Sequence, residues 1–240
     1  MMLTWRDFQQ QATASKRWSV EPSPMVSEQR LFIATPGHGK STTCICYIAA
    51  ILGTFYRRVP TGLFKLSRAV GSPFFVYDPK NTAENLTWES FSDLPEPLTP
   101  PPDVLAAIRR LLGKKKLGDM PFFRKYDDPG KMARDAYRVP GVLIFEEALT
   151  IDPGSFREIR KLAAVRRIDG DYGQIIIATS QQFSHIPVQL RGLSSHIYCG
   201  RQADTTAEKH MRTYFGKDSE LASELTRGQW LVYSEKETGE

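Results

Sequence analysis

The most chemically suggestive part of the sequence is the eight-residue segment Ala34–Ser41. Its spacing fits the Walker A pattern, although alanine stands at the first position, where glycine is usual. Gly37 and Gly39 allow the backbone to turn so that successive N–H groups point at phosphate oxygens. An apolar strand candidate precedes the segment and an apolar helix candidate follows it. The segment therefore predicts a binding site for the phosphates of ATP; the alternative is a glycine-rich turn that binds nothing.

The individual positions of this segment have expected roles. The positive end of the following helix would face the phosphates, Lys40 would reach the β- and γ-phosphates, and Ser41 would ligate Mg²⁺. His38 occupies a variable position of the pattern, so a solvent-facing side chain is the favoured interpretation. The residues expected to bind the nucleotide are Thr35, Pro36, Gly37, His38, Gly39, Lys40, Ser41 and, as a helper, Thr42.

Two adjacent carboxylates, Glu146 and Glu147, follow the apolar run 141–145. A site that hydrolyses a nucleotide needs one carboxylate for the Mg²⁺ shell and another to orient the attacking water. We expect Glu146 to serve the metal and Glu147 the water, although the usual pair is Asp-Glu. The alternative is a solvated strand end that carries two acids.

Polar residues also follow the apolar run 174–179. A polar side chain at the end of a neighbouring strand can sense the γ-phosphate, and both Gln181 and Gln182 are candidates. The alternative is the ordinary polarity of a strand end.

Apolar runs and helical segments alternate along the chain. Continuous apolar strands separated by helices indicate an α/β fold with a mostly parallel central sheet and helices on both faces. Strand candidates are 31–34, 73–77, 141–145, 174–179, 196–199 and 230–233; helix candidates are 40–53, 104–112 with Asp103 as its N-cap, and 155–167; loop and helix are expected over 113–138.

The composition fits a globular chain with one sizeable core. The 240 residues are 41% hydrophobic and carry a formal net charge of +5, which is compatible with a polyanionic partner. Three cysteines are too few for a disulfide framework, so we expect a reducing compartment. The N-terminal 30 residues contain no apolar signal segment, and the longest apolar stretch is too short to span a bilayer. We therefore expect no membrane anchor.

Other classes of protein also bind nucleotides with a phosphate loop. The sequence offers no convincing Asn-Lys-x-Asp for reading guanine, which disfavours a Ras-like switch. A small-molecule kinase would need an arginine-rich lid, which Arg157, Arg160, Lys161, Arg166 and Arg167 could imitate. A phosphate loop alone therefore leaves the use of ATP open.

The order of four motifs resembles the HerA/FtsK superfamily of DNA-pumping ATPases. These are the Walker A segment, Phe75–Lys80 ending in Asp-Pro-Lys, Ile144–Ala148, and Ile177–Gln182. The Ile186-Pro187 and Leu225–Trp230 segments also look like closing elements of that group. Ala34, Glu146 and an extra Ser180 depart from its pattern, and Ser180 leaves the choice between Gln181 and Gln182 open. The resemblance spans about residues 31–234 and implies a RecA-like P-loop NTPase domain there, with an N-terminal arm or helix and linker over 1–30 and a polar tail over 235–240.

Within that superfamily the chain looks most like the compact genome-packaging ATPases of tailless, internal-membrane viruses. The resemblance implies an ATP-driven translocase that packages double-stranded DNA into a viral procapsid. It also implies a homo-oligomeric ring, usually a hexamer, at a capsid vertex or portal-type protein in the host cytoplasm. The alternative within the resemblance is a Zot-like ATPase for phage assembly or export, which would not pump DNA.

Motors of this group complete each site with an arginine from the neighbouring subunit. Arg166 or Arg167, just before the turn 168–170, matches the position of that arginine, and Arg191 is a second candidate. A solvated basic helix end is an equal alternative. DNA would be gripped by its phosphates, because a motor must move any sequence. Candidates for those contacts are Lys114, Lys115, Lys116, Arg124 and Lys125, for which a solvated charge run is the alternative.

Overall fold

The computed structural model describes residues 1–8, 28–58, 74–137, 141–147, 153–163, 174–186 and 188–234. Seven strands form one sheet in the order β3-β2-β4-β5-β1-β6-β7. All neighbouring strands run parallel except β6 and β7, which are antiparallel. The strands are β1 (Glu28–Ile33), β2 (Phe74–Tyr77), β3 (Phe123–Tyr126), β4 (Gly141–Phe145), β5 (Gln174–Ser180), β6 (His196–Cys199) and β7 (Leu231–Ser234).

Helices cover both faces of this sheet. They are α1 (Lys40–Arg58), α2 (Trp88–Ser92), α3 (Pro102–Leu112), α4 (Pro129–Asp135), α5 (Pro153–Ala163), α6 (Val188–Gly192) and α7 (Thr205–Phe215). Two 3₁₀ segments, Leu117–Asp119 and Gly216–Ser223, follow α3 and α7. The expected α/β fold is therefore confirmed, with its mostly parallel sheet flanked on both faces.

The core consists of two apolar layers that share the sheet. Because side chains alternate along a strand, Phe32 of β1 packs under α1–α3 while Leu31 and Ile33 pack under α4–α7. The three central strands β4, β5 and β1 are buried on both faces, which explains the apolar runs 141–145, 175–178 and 31–33 within them.

The first strand begins at Glu28, three residues before the apolar run that predicted it. The first residues of the strand are polar, so they do not extend the apolar pattern, and two of them contact residues elsewhere in the chain. The Gln29 amide donates to the carbonyl of Leu190 at 2.9 Å, and the Arg30 guanidinium lies 4.9 Å from the ring of Tyr47. Residues 1–8 also join the structure, since Leu3, Trp5 and Phe8 are buried in the layer under α1; residues 9–27 lie outside the described residues, as does the tail 235–240.

Two further expectations need correction. Loop and helix are expected over 113–138, but 123–126 form a strand at the edge of the sheet. Within the described part of the chain this strand pairs with β2 alone, and Arg124 and Lys125 are exposed to solvent. Asp103 is not the N-cap of α3: Pro101 holds that position, and Asp103 lies in the first turn, where its charge still favours the helix dipole. Among the described residues, no helix is long and apolar enough to cross a membrane.

Candidate nucleotide site

The candidate site lies along the carboxyl edge of the three central strands. Because β4, β5 and β1 are consecutive neighbours, the loop after β1, the acids after β4 and the glutamines after β5 meet at one edge. Open α/β sheets bind ligands at this edge. The topology thus brings the phosphate loop together with two segments that follow it by more than a hundred residues in the sequence.

The phosphate-loop candidate is tied at its start to strands on both sides. The Ala34 N–H donates to the Ser180 carbonyl, and the Thr35 N–H donates to the Arg201 carbonyl, both at 3.1 Å. Gly37 and Gly39 have φ angles of +78° and +102°, which other residues rarely adopt. Helix α1 then begins at Lys40, so its N-terminal N–H groups face the same space.

Lys40 extends back over the loop that precedes it. Its Nζ donates to the carbonyls of Ala34 at 2.7 Å and Thr35 at 3.3 Å. Burial lowers the pKa of Lys40, whereas the charges of Glu147 and Glu146 oppose that shift. The charges of both carboxylates therefore act on the Lys40 ammonium group. Pro36, Gly37 and Ser41 are exposed, and Thr35, Gly39 and Thr42 are half-buried.

His38 does not face solvent, contrary to expectation. Its side chain is 4% exposed, its Nε2 lies 2.8 Å from the Gln229 carbonyl, and its ring meets Trp230 edge-on at 5.2 Å. A Cβ on Gly200 would lie 2.2 Å from His38 Cδ2, so only glycine leaves room for the imidazole there. The loop residue is thus anchored to the chain just before β7.

The hydroxyl of Thr179 connects the two carboxylate residues. It accepts a hydrogen bond from the Glu147 N–H at 3.0 Å and donates one to Glu146 Oε2 at 2.7 Å. Glu147 has a φ of +56°, an uncommon value for a residue other than glycine. Backbone strain of this kind is often found at functional sites. The sequence analysis missed this role of Thr179, which depends on the pairing of β4 with β5.

The carboxylate of Glu147 is held between two donors. Lys80 Nζ lies 2.6 Å from its Oε1, and Gln181 Nε2 donates to its Oε2 at 3.1 Å. Although burial acts to raise the pKa of Glu147, the hydrogen bonds from Lys80 and Gln181 outweigh burial and bring the pKa below its ordinary value. Lys80 belonged to a motif quoted from the sequence, but its contact with Glu147 was not foreseen.

Glu146 lies deeper, against helix α1. It is 6% exposed, and burial raises its pKa despite the hydrogen bond from Thr179 and a second one from the Cys44 thiol. Cys44 is three residues after Ser41, and residues so spaced share one face of a helix. Glu146 therefore lies on the side of α1 that carries Ser41.

This donor set suits Mg²⁺. Magnesium keeps several waters and takes only one or two protein ligands beside substrate phosphates. Among the residues that the structure describes, no group of three or more His, Cys, Asp or Glu side chains could hold a metal. A hydroxyl at Ser41 and one carboxylate at Glu146 are the partners that a nucleotide-bound Mg²⁺ would use.

The remaining candidates separate clearly. Gln181 donates to the Glu147 carboxylate, whereas Gln182 is exposed, so the geometry favours Gln181 as the residue beside the acid. Arg191 is 3% exposed, and its guanidinium lies 4.9 Å from the centre of the Phe183 ring. This arginine is therefore buried within its own subunit, which disfavours it as the residue that completes a neighbour's site. Arg166, Arg167 and the turn 168–170 lie outside the described residues.

Solved structures show the same fold. The genome-packaging NTPase B204 from Sulfolobus turreted icosahedral virus 2, solved with ATPγS, is 12% identical over 87% of this chain and 92% of that chain, with a TM-score of 0.51. The fold is that of a P-loop NTPase. No family model matches the sequence, and no curated protein matches it.

Two weaker likenesses concern other kinds of protein. The pCW3 conjugation coupling protein TcpA is 14% identical over 92% of this chain and 65% of that chain, with a TM-score of 0.46. The N-terminal domain of zonular occludens toxin from Neisseria meningitidis is 13% identical over 88% of this chain and 96% of that chain, with a TM-score of 0.43.

Proposed function

We propose that this chain is an ATPase of the HerA/FtsK type that drives translocation of double-stranded DNA into a viral procapsid. The observation that carries the proposal is the convergence of Lys40, Glu146, Glu147 and Gln181 at the carboxyl edge of the sheet. A phosphate loop alone would support binding. The hydrogen-bonded Glu147 carboxylate at the same edge of the sheet supports hydrolysis as well.

Each residue would act mainly by position and charge. The N–H groups of the loop and the start of α1 bind the phosphates, and Lys40 neutralises the β- and γ-phosphates. Mg²⁺, held by Ser41 and Glu146, would supply a Lewis acid that polarises the phosphate oxygens. Glu147 orients the attacking water, and Gln181 fixes the Glu147 carboxylate from the neighbouring strand.

Lys80 forms an ion pair with the carboxylate of Glu147. An ammonium only 2.6 Å from the carboxylate competes with water for the same oxygen. Because the Lys80 side chain is 62% exposed, it can leave at modest cost when a nucleotide enters. The Glu147 carboxylate is then free to accept a hydrogen bond from water.

Coupling to DNA is supported by the kind of protein whose fold the chain shares. B204 is named a genome-packaging NTPase, and the order of motifs resembles the same class. We propose that copies of this chain form a ring, as a hexamer, at a capsid vertex or portal-type protein in the host cytoplasm. Arg166 or Arg167 of one copy would complete the neighbour's site by stabilising charge on the transferred phosphoryl group.

DNA contacts are proposed to lie on exposed cations. Lys114 and Lys115 follow α3 as part of an exposed basic turn, and Arg124 and Lys125 stand on the edge strand β3. Of these, Lys125 already pairs with Glu84 at 2.9 Å. Phosphate contacts of this type would make ATPase stimulation by DNA fall steeply with salt.

The first experiment is steady-state ATPase with and without long duplex DNA, on the wild type and on Glu147→Gln. We expect hydrolysis stimulated by DNA, and a fall in kcat of at least about a hundredfold in Glu147→Gln with ATP binding retained. Glu220→Gln, the same substitution at an exposed position, is the control and should leave kcat unchanged. Hydrolysis indifferent to DNA in every assembled form would instead favour the assembly ATPase.

A further inference from the structure

A buried glutamine connects the end of β6 to the turn that follows β5. Gln202 lies three residues after β6, and its side chain is 4% exposed. Its amide group contacts the turn that begins with Gln181, the residue that donates to the Glu147 carboxylate. Because a buried amide must satisfy its polar atoms within the protein, these contacts fix the position of the Gln202 side chain.

The amide of Gln202 holds the turn after β5 on both sides of Gln182. Its Oε1 accepts a hydrogen bond from the Phe183 N–H at 3.1 Å, and its Nε2 donates to the Gln181 carbonyl at 3.2 Å. Two backbone groups of the turn are thereby directed at one side chain. These bonds fix the backbone at Gln181, and the backbone conformation determines which side-chain rotamers this residue can adopt.

The same amide also contacts the residue that supports the start of the phosphate loop. Gln202 Nε2 donates to the Arg201 carbonyl at 2.9 Å, and this carbonyl also accepts the Thr35 N–H at 3.1 Å. The backbone N–H of Gln202 donates to the Ala222 carbonyl at 3.0 Å, which holds the glutamine itself in place. One residue therefore links the phosphate loop with the turn that carries Gln181.

Aromatic packing holds the far end of the turn. Phe183 is buried, and the centre of its ring lies 5.8 Å from that of Tyr214 and 6.4 Å from that of Phe215. The turn therefore has a fixed end, and the amide of Gln202 determines where its first residue lies. Because Gln181 is half-buried and its bond to Glu147 is 3.1 Å long, a small movement of its backbone would weaken that bond.

We infer that Gln202 is a positioning residue for hydrolysis, which acts through Gln181 on the Glu147 carboxylate. The inference rests on the proposed function, because it requires Glu147 to orient the attacking water. Gln202 contacts neither Glu147 nor the nucleotide in this scheme. A glutamine that only stabilised the turn would change the stability of the protein, whereas a positioning residue changes kcat and does so through Gln181.

The test is a double-mutant cycle between Gln202 and Gln181. Gln202→Met keeps a long unbranched side chain but removes the amide, and it would be made in the wild type and in Gln181→Ala. Gln29→Met is the matched control, because Gln29 is also 4% exposed and its amide donates to the Leu190 carbonyl at 2.9 Å. Gln29 lies near the amino end of β1, away from the candidate site. Steady-state ATPase, binding of ATPγS and thermal unfolding would be measured on every variant.

We expect Gln202→Met to lower kcat at least about fivefold in the wild type, but less than about twofold further in Gln181→Ala, where the side chain through which it acts is already absent. The affinity for ATPγS should stay within about threefold of the wild-type value, because Ser180 and Gln229 still hold the phosphate loop. Gln29→Met should lower the Tm, since it also removes a buried amide, and should leave kcat unchanged.

Gln202→Asn is a milder variant that decides the question if Gln202→Met fails to fold. It retains an amide that is one methylene short, so we expect a smaller loss of kcat with the same dependence on Gln181. Wild-type kcat in whichever variant folds would overturn the inference. An equal further loss in Gln181→Ala, or an equal loss in Gln29→Met, would show a general structural effect and would also overturn it. Wild-type protein that does not hydrolyse ATP would overturn the proposed function, and this inference with it.

Discussion

At the scale of single residues, the candidate site depends on how Glu147 is held. Its backbone adopts a left-handed conformation, its N–H donates to Thr179, and its carboxylate accepts from Lys80 and Gln181. When Lys80 leaves, the backbone bond to Thr179 and the hydrogen bond from Gln181 still hold this carboxylate, so it loses little further entropy when it orients a water molecule. We therefore expect substitutions of the residues that hold Glu147 to lower kcat, as substitution of Glu147 itself does.

The first residue-scale prediction concerns the two glutamines. Gln181→Ala should lower kcat at least about tenfold, because the Glu147 carboxylate loses the donor that orients it from β5. Gln182→Ala should cost clearly less, because that side chain is exposed. Steady-state ATPase on both variants decides between them, and a larger loss in Gln182→Ala would contradict the placement.

The second residue-scale prediction concerns Thr179. Thr179→Val keeps the shape but removes the hydroxyl, so the buried Glu147 N–H and the Glu146 carboxylate each lose a partner. We expect a loss of about 1–3 kcal/mol in the free energy of unfolding and a lower kcat. Thr179→Ser should restore most of both, since the hydroxyl returns. Denaturant unfolding and ATPase measure the two effects, and wild-type kcat in Thr179→Val would refute the bridging role.

At the scale of elements, the sheet order determines which segments meet. The first two N–H groups of the phosphate loop donate to the end of β5 and to Arg201, which lies two residues after β6. His38 connects the middle of the loop to the turn before β7. The loop is thus supported from several strands rather than by its own sequence alone. A substitution at the end of a neighbouring strand should therefore move the phosphate loop and weaken nucleotide binding.

Gly200 offers a test of this support. Gly200→Ala would place a Cβ 2.2 Å from the His38 ring and 2.8 Å from the Ala34 Cβ, so either the imidazole or the loop must move. We expect a lower Tm and weaker ATP binding. Gly192→Ala is the matched control, because its added Cβ would meet nothing within 4 Å. Thermal unfolding and ATP titration of both variants check the prediction, and equal behaviour of the two would contradict it.

The same elements show how far the sequence could be interpreted. The strands β4 and β6 were predicted with correct bounds, because continuous apolar runs are local signals. The start of β1 and the edge strand β3 were missed, because buried polar residues and exposed cations interrupt the apolar pattern there.

Contacts between distant residues account for what the sequence did not reveal in the site. Lys80 and Glu147 are 67 positions apart, and His38 and Gln229 are 191 apart. Such pairs depend on which strands become neighbours, and no local pattern carries that information. Glu146 and Glu147 were recognised as an acidic pair, but the bridging hydroxyl of Thr179 follows only from the pairing of β4 with β5.

At the scale of the whole molecule, the central proposal is that ATP hydrolysis moves DNA. The chain shares its fold with a packaging NTPase at low identity. The candidate site holds the two carboxylates and the glutamine that we propose for hydrolysis. A ring of such chains would place one site between each pair of neighbours, and cations of several copies around one duplex. Translocation is then a property of the assembly, measured on the assembled protein.

The most direct measurement is displacement of a triplex-forming strand from the far end of a linear duplex. With ATP and Mg²⁺, the wild-type protein should release the third strand at a rate that depends on ATP, whereas Glu147→Gln should release none. Release must also be delayed as the duplex track is lengthened, because the motor has to travel that distance. Assembled wild-type protein that hydrolyses ATP but leaves the third strand in place on every track length would contradict the account.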